Sequence, residues 1–342
     1  MTPPPAAGAR FGRRGFLIGT TGVLAAGLAA GLTACGGSGG PDGTGNAQAG
    51  PGFPANIPNR YGAAEIKAAP QRVVTLGITD HDVLLPLGVI PAGLTKWGPW
   101  DSGVGPWAEP FLGGQRPKVF GSEVDVEGVI ALAPDVMIAL QSALTQEQYN
   151  RLSTFNPVVA QPPNSIDYGV NWRVQAETIG QALGKQAEVA KLLADTQERI
   201  EQTRRANPLF EGKTHVTVRT DSAGTYAAYT KQDARTALLE QLGLRLSPAV
   251  ENLDSGGKFN VKVSKEQVRL LDADVVIVTT AKAADVDAVR KDPLLNNLPA
   301  AKRGSLVLLD DYDLTMALGS ATVSSIPFAL ERLTPKLVDA LS

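Results

Sequence analysis

The amino-acid sequence predicts an α/β protein of two βα lobes, each with a central, mainly parallel sheet, joined by one long rigid interlobe helix. The stretch Lys185 to Asn207 has charge on one side, an apolar seam at Ala190, Leu193 and Ile200, and no internal Gly or Pro. A helix of about 20 residues spans roughly 30 Å, the diameter of a small domain, so it reads as a strut between lobes. The two halves beside it rhyme. Glu127, Val129, Leu132, Asp135, Val136 and Ile138 recur at identical offsets as Glu266, Val268, Leu271, Asp274, Val275 and Ile277. In both halves short apolar strands alternate with helical patterns, as in parallel sheets covered on both faces.

The chain opens with Gly12-Arg13-Arg14-Gly15-Phe16-Leu17, followed by an uncharged run rich in Ala, Gly and Leu that reaches Ala34. Paired Arg before a modest apolar run is the pattern of a twin-arginine (Tat) export signal. The run ends in Leu32-Thr33-Ala34-Cys35, which resembles the lipobox of bacterial lipoproteins, where the Cys becomes the lipidated first residue. The competing reading is an uncleaved anchor, but a run this short and this rich in Ala and Gly is a poor spanning helix. Residues 1–35 are therefore expected to be a signal peptide. Residues 36–56 read as a disordered tether. Residues 57–170 form the first lobe, 171–207 the helical connection that includes the interlobe helix, and 208–342 the second lobe. The predicted location is the outer face of the cytoplasmic membrane, in the cell envelope, with the lipid anchor as the only membrane contact.

The lipobox uses the single Cys of the 342-residue chain, leaving no disulfide and no thiolate for metal or catalysis. With 32 Lys and Arg against 34 Asp and Glu, and no basic run beyond the leader, nucleic acid and anionic surfaces are unsuited partners. About 285 residues beyond the tether suffice for two lobes with cores.

In the first half, strands are expected at Arg72 to Leu76, Ala92 to Thr95, Lys118 to Phe120, Val136 to Leu140 and Val158 to Ala160. Helices are expected at Asp82 to Leu87, Val126 to Ala133 and Thr145 to Ser153. In the second half, the strands are His215 to Thr220, Tyr226 to Tyr229, Val275 to Thr279 and Leu306 to Leu309. The helices are Ala234 to Leu242, Lys265 to Leu271, Ala283 to Lys291 and Ser325 to Leu341. Asp125 and Ser264 are the expected caps, Ser264 with Gln267 making a capping box. Gly88 and Gly243 each end a helix, and Gly184 ends the segment Trp172 to Leu183 ahead of the strut.

Ligands of such sheets gather at the carboxyl ends of strands. Three of the four Trp, namely Trp97, Trp100 and Trp107, follow the strand ending at Thr95 in a loop of Gly and Pro. They are candidate ligand walls, with plugging of the local core as the competing reading. In Thr79-Asp80-His81-Asp82, Asp80 reads as a helix cap and His81 as a cleft wall or a bystander; as a metal site the segment is weak, because the only other His is His215. Arg219, at a strand's carboxyl end, suits an anionic ligand, or else is a solvated Arg; Tyr226 and Tyr229 follow it. Phe259 and Tyr312 complete the candidate wall. Glu127 and Glu266, in the first turns of equivalent helices, gain from the helix dipole and are also placed to dock onto Arg of a two-fold symmetric partner. Ser255-Gly-Gly-Lys258 fits S-x-x-K without its companion triplets and reads as a turn, so no enzyme activity is expected.

Pro70-Gln-Arg-Val-Val-Thr-Leu76, Leu87-Gly-Val89, Leu132-Ala-Pro-Asp135, Ser264-Lys-Glu266 and the strut together resemble a family of substrate-binding lipoproteins of ABC importers. It is the class III periplasmic-binding-protein fold, similar to the iron-siderophore (ferric dicitrate and ferrichrome type) and vitamin B12 binding proteins. The resemblance covers Ile57 to Ser342. It implies a small hinge motion, a ligand in the interlobe cleft and permease docking through Glu127 and Glu266. Zinc and manganese binders of this superfamily use several His, which this chain lacks. The expected ligand is a ferric siderophore, with haem as runner-up, His81 or a Tyr then being the axial ligand, and cobalamin as a further alternative. No intrinsic cofactor is expected, and the protein is expected to be a monomer. An extracytoplasmic scaffold or enzyme is the reading from another class.

Overall fold

The computed structural model describes residues 52–342 apart from 222 and 281, so the twin-arginine leader, Cys35 and the tether up to Pro51 lie outside the described residues. The chain enters on an antiparallel hairpin of β1 (Ala55–Asn59) and β2 (Gly62–Ile66). Ala55 and Asn56, expected in the tether, already belong to this hairpin, and Ala55, Ile57, Ala64 and Ile66 join the main core.

The first lobe is a five-stranded parallel sheet in the order β5-β4-β3-β6-β7. Its strands are β3 (Val73–Thr75), β4 (Gly93–Thr95), β5 (Lys118–Phe120), β6 (Val136–Ala139) and β7 (Val158–Ala160). All but the edge strand β5 are buried along their whole length, as a sheet covered on both faces requires. Helices α1 (His81–Leu84), α2 (Val126–Ala131) and α3 (Gln146–Ser153) cover it. The chain builds outward from β3 to β5, then returns to the other side of β3 as β6. The crevice between the carboxyl ends of β3 and β6 is thus a topological switch point, where open α/β sheets bind ligands.

Helix α4 (Trp172–Leu183) stops at Gly184, whose φ of 66° is left-handed, and α5 (Gln186–Ala206) follows. The buried face of α5 is Val189, Leu193, Thr196 and Ile200, a regular helical stripe. Ala190, expected in this seam, is exposed, because the stripe starts one residue earlier. A Cβ on Gly180 would lie 2.8 Å from Val189 Cγ2, so this glycine allows the close packing of α4 on α5.

The second lobe contains β8 (Thr214–Thr220), β9 (Tyr226–Tyr229), α6 (Ala234–Gln241), β10 (Arg245–Leu246), α7 (Pro248–Glu251), β11 (Asn260–Val263) and β12 (Val275–Thr280). After these come α8 (Val286–Arg290), α9 (Pro293–Asn296), α10 (Pro299–Lys302), β13 (Leu306–Leu308), α11 (Tyr312–Ser320) and α12 (Ser325–Leu341). The sheet order is β11-β9-β8-β12-β13, with β10 also on β8. Strands β10, β8, β12 and β13 are parallel, whereas β9 and β11 run against their neighbours, so this sheet is mixed.

The internal rhyme has a structural meaning. Asp135 accepts the backbone N–H of Gln71 at 2.6 Å and of Arg72 at 2.8 Å, and so fixes the entry to β3. Its counterpart Asp274 accepts the N–H and the hydroxyl of Thr214, both at 2.8 Å, at the entry to β8. The caps are not equivalent. Asp125 accepts the Gly128 N–H at 2.9 Å, but residues Lys265–Leu271 wind as a 3-10 helix, and Ser264 makes no side-chain cap bond. In that tighter winding the Gln267 N–H reaches the Ser264 carbonyl at 3.0 Å, so the expected capping box does not form there. A capping box forms instead between Thr145 and Gln148. The main apolar core passes from Val73 and Leu84 through Ile179, Leu193 and Ile200 to Leu318 and Leu330, so it is continuous across both lobes.

Candidate functional site

A cavity of about 270 Å³ lies between the lobes, over the switch point of the first sheet. From the first lobe it is lined by Ile78 and Thr79 after β3, Trp97 after β4, Gln141 after β6, and residues 168–172 leading into α4. Asp80 holds the switch-point loops together. Its buried carboxylate accepts the N–H groups of Leu140 at 2.9 Å and Gln141 at 3.2 Å, and the Gln175 amide at 2.9 Å. Burial pushes its pKa up to about 6, against these donors. Asp80 was expected to cap α1, but it makes no side-chain cap bond and closes the end of β6 instead. A Cβ on Gly77 would sit 2.0 Å from Asp80 Oδ2, so only glycine permits this approach.

From the second lobe the cavity is lined by Lys231 to Arg235, Phe259, and the end of α11 from Gly319 to Ala321. Strand β9 runs against β8, so the carboxyl ends of these two neighbours lie at opposite edges of the sheet. The cavity is reached from the carboxyl end of β9 through the turn into α6. Arg235 is the principal charge inside. Its Nη1 donates to both oxygens of Asp233, at 3.1 and 2.9 Å, and its guanidinium lies 4.2 Å from the centre of the Tyr229 ring. Burial opposes its charge, but Asp233 and the Tyr229 oxygen more than offset this and hold its pKa above the usual arginine range.

Sequence reading placed three Trp in this wall, and the structure divides them. Trp97 lines the cavity. Trp107 is buried, donates its indole N–H to Asp82 at 2.7 Å and packs edge-on against Phe328 of α12. Trp100 packs edge-on against Trp107 at 5.2 Å and donates to Asp313 at 3.1 Å. These two seal the contact between lobes. Phe259 lines the cavity, but the other named residues do not. His81 is buried, 3.6 Å from Asp82, and burial lowers its pKa to about 4. Arg219 is exposed at the carboxyl end of β8, outside the cavity because the chain reaches the cavity only after reversing into β9. Tyr226 is in the core and donates to Asp292 at 2.5 Å. Tyr229 supports Arg235 from behind, and Tyr312 opens α11 against the main core. Glu127 and Glu266 are both exposed; Glu127 is ion-paired with Arg151. Among the described residues no group of three or more His, Cys, Asp or Glu is placed to hold a metal ion.

Sequence reading missed Arg235, Asp233 and Trp172. Asp233-Ala-Arg235 carried a signal, since Asp233 caps α6 where a strand ends. Trp172 was read only as the start of a helix, yet it lines the cavity while Arg173 covers its ring at 4.5 Å.

A cleft at a switch point, between two sheets tied by one long helix, defines a two-lobed ligand-binding architecture. The chain belongs to the periplasmic binding protein family, whose family model matches residues 73–312. It is similar to the putative ABC transporter substrate-binding lipoprotein YhfQ of Bacillus subtilis (strain 168), 27% identical over 74% of this chain and 80% of that protein. It is also similar to the Fe(3+) dicitrate-binding periplasmic protein FecB of Escherichia coli (strain K12), 26% identical over 75% of this chain and 83% of that one. Among solved structures, a periplasmic solute binding protein from Mycobacterium smegmatis matches with a TM-score of 0.76 and 31% identity, over 84% of this chain and 99% of that chain. PiaA from Streptococcus pneumoniae in complex with ferrichrome matches with a TM-score of 0.71 and 27% identity, over 84% and 98%.

Proposed function

We propose that this protein captures a ferric siderophore in the interlobe cavity and delivers it to an ABC importer. The observation that carries this reading is the cavity itself: Trp97, Trp172 and Phe259 supply broad apolar walls, and Arg235 adds one fixed cation, a combination suited to a bulky organic chelate. Relatives named for ferric dicitrate binding and for ferrichrome binding support it. Capture without turnover accords with the family, and no step of chemistry is assigned to the cavity. Glu127 and Glu266 are the docking acids toward the permease, and Cys35 is the lipid attachment point, which places the protein outside the cytoplasmic membrane. For haem, the runner-up, His81 and Tyr226 are buried away from the cavity, and Tyr168 in its lining is the remaining candidate axial ligand.

The test is quenching of Trp fluorescence on titration with ferric hydroxamate, ferric catecholate, ferric citrate, haem and cobalamin. Saturable quenching by a ferric chelate and not by its iron-free form is the expected result. Saturable binding of haem or cobalamin alone, or of nothing, would overturn the proposal.

A further inference from the structure

We infer that Asp233 determines which siderophores bind: by pairing with Arg235 it fits the cavity to a ferric chelate of zero net charge, of the tris-hydroxamate kind, and against multiply anionic chelates. This rests on the siderophore reading above.

Among the described residues lining the cavity, the charged ones are Lys231, Asp233 and Arg235. Lys231 is exposed at the rim, where water and salt screen it. Asp233 and Arg235 are both inside, with side chains 7% and 12% exposed. Asp233 is also fixed by its role as N-cap of α6, accepting the Arg235 N–H at 2.9 Å. The pair is therefore formed before any ligand arrives and offsets the guanidinium charge through Nη1, while Arg235 Nε is buried without a partner among the described residues. The polar remainder of the lining, Thr79, Gln141, Tyr168, Asn171, Gln232, Gln241 and Ser320, is neutral. Gln141 is itself anchored, donating its amide N–H to the Val170 carbonyl at 2.6 Å.

The chelates differ in charge. Three hydroxamate monoanions around one ferric ion give a neutral complex, whereas three catecholate dianions give a trianion. Taking an ion out of water is costly even after relaxation, and is offset only by well-placed opposite charge. A trianion entering this cavity would meet one guanidinium already paired with a carboxylate, and Asp233 would repel it. A neutral chelate needs only apolar walls and a few hydrogen-bonding groups, which the cavity has.

The test titrates the purified chain and its Asp233→Asn variant with a neutral ferric tris-hydroxamate and a ferric tris-catecholate, following Trp fluorescence. Asn retains the volume and is as good an N-cap as Asp, while the charge is removed. The wild type is expected to bind the tris-hydroxamate at least about 100-fold more tightly, and the variant to shift this ratio toward the tris-catecholate by about 10-fold, in line with charge pairs at desolvated sites. Equal or tighter binding of the tris-catecholate by the wild type, or an unchanged ratio in a folded variant, would overturn the inference and leave the siderophore reading standing. No binding of either chelate would overturn the inference, and the siderophore reading with it only if ferric citrate also fails to bind. If that variant does not fold, Asp233→Ser, which also caps a helix but carries no charge, is titrated in its place with the same expected shift.

Discussion

The Asp82 carboxylate of the first lobe accepts the Thr322 hydroxyl of the second lobe at 2.9 Å, on the same oxygen that accepts the Trp107 indole N–H. The Ser324 hydroxyl donates to the Asp82 carbonyl at 2.7 Å, adding a second bond across the same contact. This polar latch adds to α5, the Trp100–Asp313 bond and the shared apolar core in tying the lobes together. Separating them would leave Asp82 short of donors in an apolar setting, which resists wide opening.

Thr322→Val keeps the shape and removes the hydroxyl. Asp82 then loses one donor, and the Ser325 N–H loses the acceptor it has at 3.1 Å. The expected loss of stability is about 1–3 kcal/mol, the cost of stranding buried polar groups, read from urea unfolding. A variant as stable as the wild type would show that the latch carries no free energy.

Asp82 also predicts a pH dependence. Burial raises its pKa from 3.8 to about 7, so between these values the folded state holds a proton that the unfolded state has lost. Its contribution to stability is complete below pH 4 and is lost as pH rises through the folded value. Asp80, raised to about 6, acts in the same direction. His81 and His215, lowered by burial to about 4 and 3, act oppositely: the unfolded state binds the extra proton, and stability rises with pH up to about 6.5. These trends overlap in the wild type, but Asp82→Asn isolates one of them. The unfolding free energy of the variant minus that of the wild type should grow between pH 4 and 7, by at most roughly 4 kcal/mol, and then level off. A difference independent of pH would contradict the assignment.

The Trp residues should separate by function. Trp97→Ala, in the cavity wall, should weaken ferric chelate binding by about 10-fold or more, equivalent to at least 1.4 kcal/mol. Trp107→Ala should cost about 3–5 kcal/mol of stability, because it opens a large gap beside Phe328 and strips a donor from Asp82. Fluorescence titration and urea unfolding on each variant decide between these roles. The reverse pattern would return the cavity wall to the Trp107 end of the loop.

Much of this fold was legible because the apolar strands are short and uninterrupted: Lys118 to Phe120, Val158 to Ala160 and Tyr226 to Tyr229 form as the sequence implies. The first hairpin was not, since Pro58 lies within β1 and β2 is Gly and Ala at its start, residues that weaken a strand signal. Helix α11 was hidden behind the aromatic Tyr312, although Asp311 caps it by accepting the Leu314 N–H at 3.1 Å. The cavity was half legible. Trp97, after a parallel strand, lines the cavity, whereas Arg219 does not, because strand direction reverses at β9; the five-residue segment with Gly224 between Thr220 and Tyr226 carries that hairpin signal, which sequence reading missed. Burial likewise decides that Tyr226 meets Asp292 while Tyr229 meets Arg235, and both lie on the same four-residue strand.

Docking of the two acids is testable apart from binding. Glu127→Ala and Glu266→Ala should each reduce chelate uptake by cells while leaving the fluorescence titration within about twofold, since both side chains are exposed and distant from the cavity lining. Uptake equal to wild type in the double variant would remove these residues from the permease contact.

Gly319 sits in α11 where the lobes meet over the cavity. A Cβ there would lie 2.3 Å from Arg235 Nη2 and 2.9 Å from Trp97 Cη2, so both side chains must shift for Ala to fit. The guanidinium tip is flexible, but it is held by Asp233, and the Trp97 ring can move only into the space a ligand would use. Inside a helix, Gly to Ala gains about 0.8–1 kcal/mol of intrinsic propensity, which offsets only part of the strain of moving both side chains, so the net loss of stability should be at most about 2 kcal/mol. Affinity has no such compensation. Gly319→Ala should therefore weaken ferric chelate binding by about 10-fold with only a small fall in unfolding midpoint, because one added methyl group in a packed site costs roughly 1–3 kcal/mol. Undiminished binding in a stably folded Gly319→Ala variant would mean that the ligand sits elsewhere than between Arg235 and Trp97.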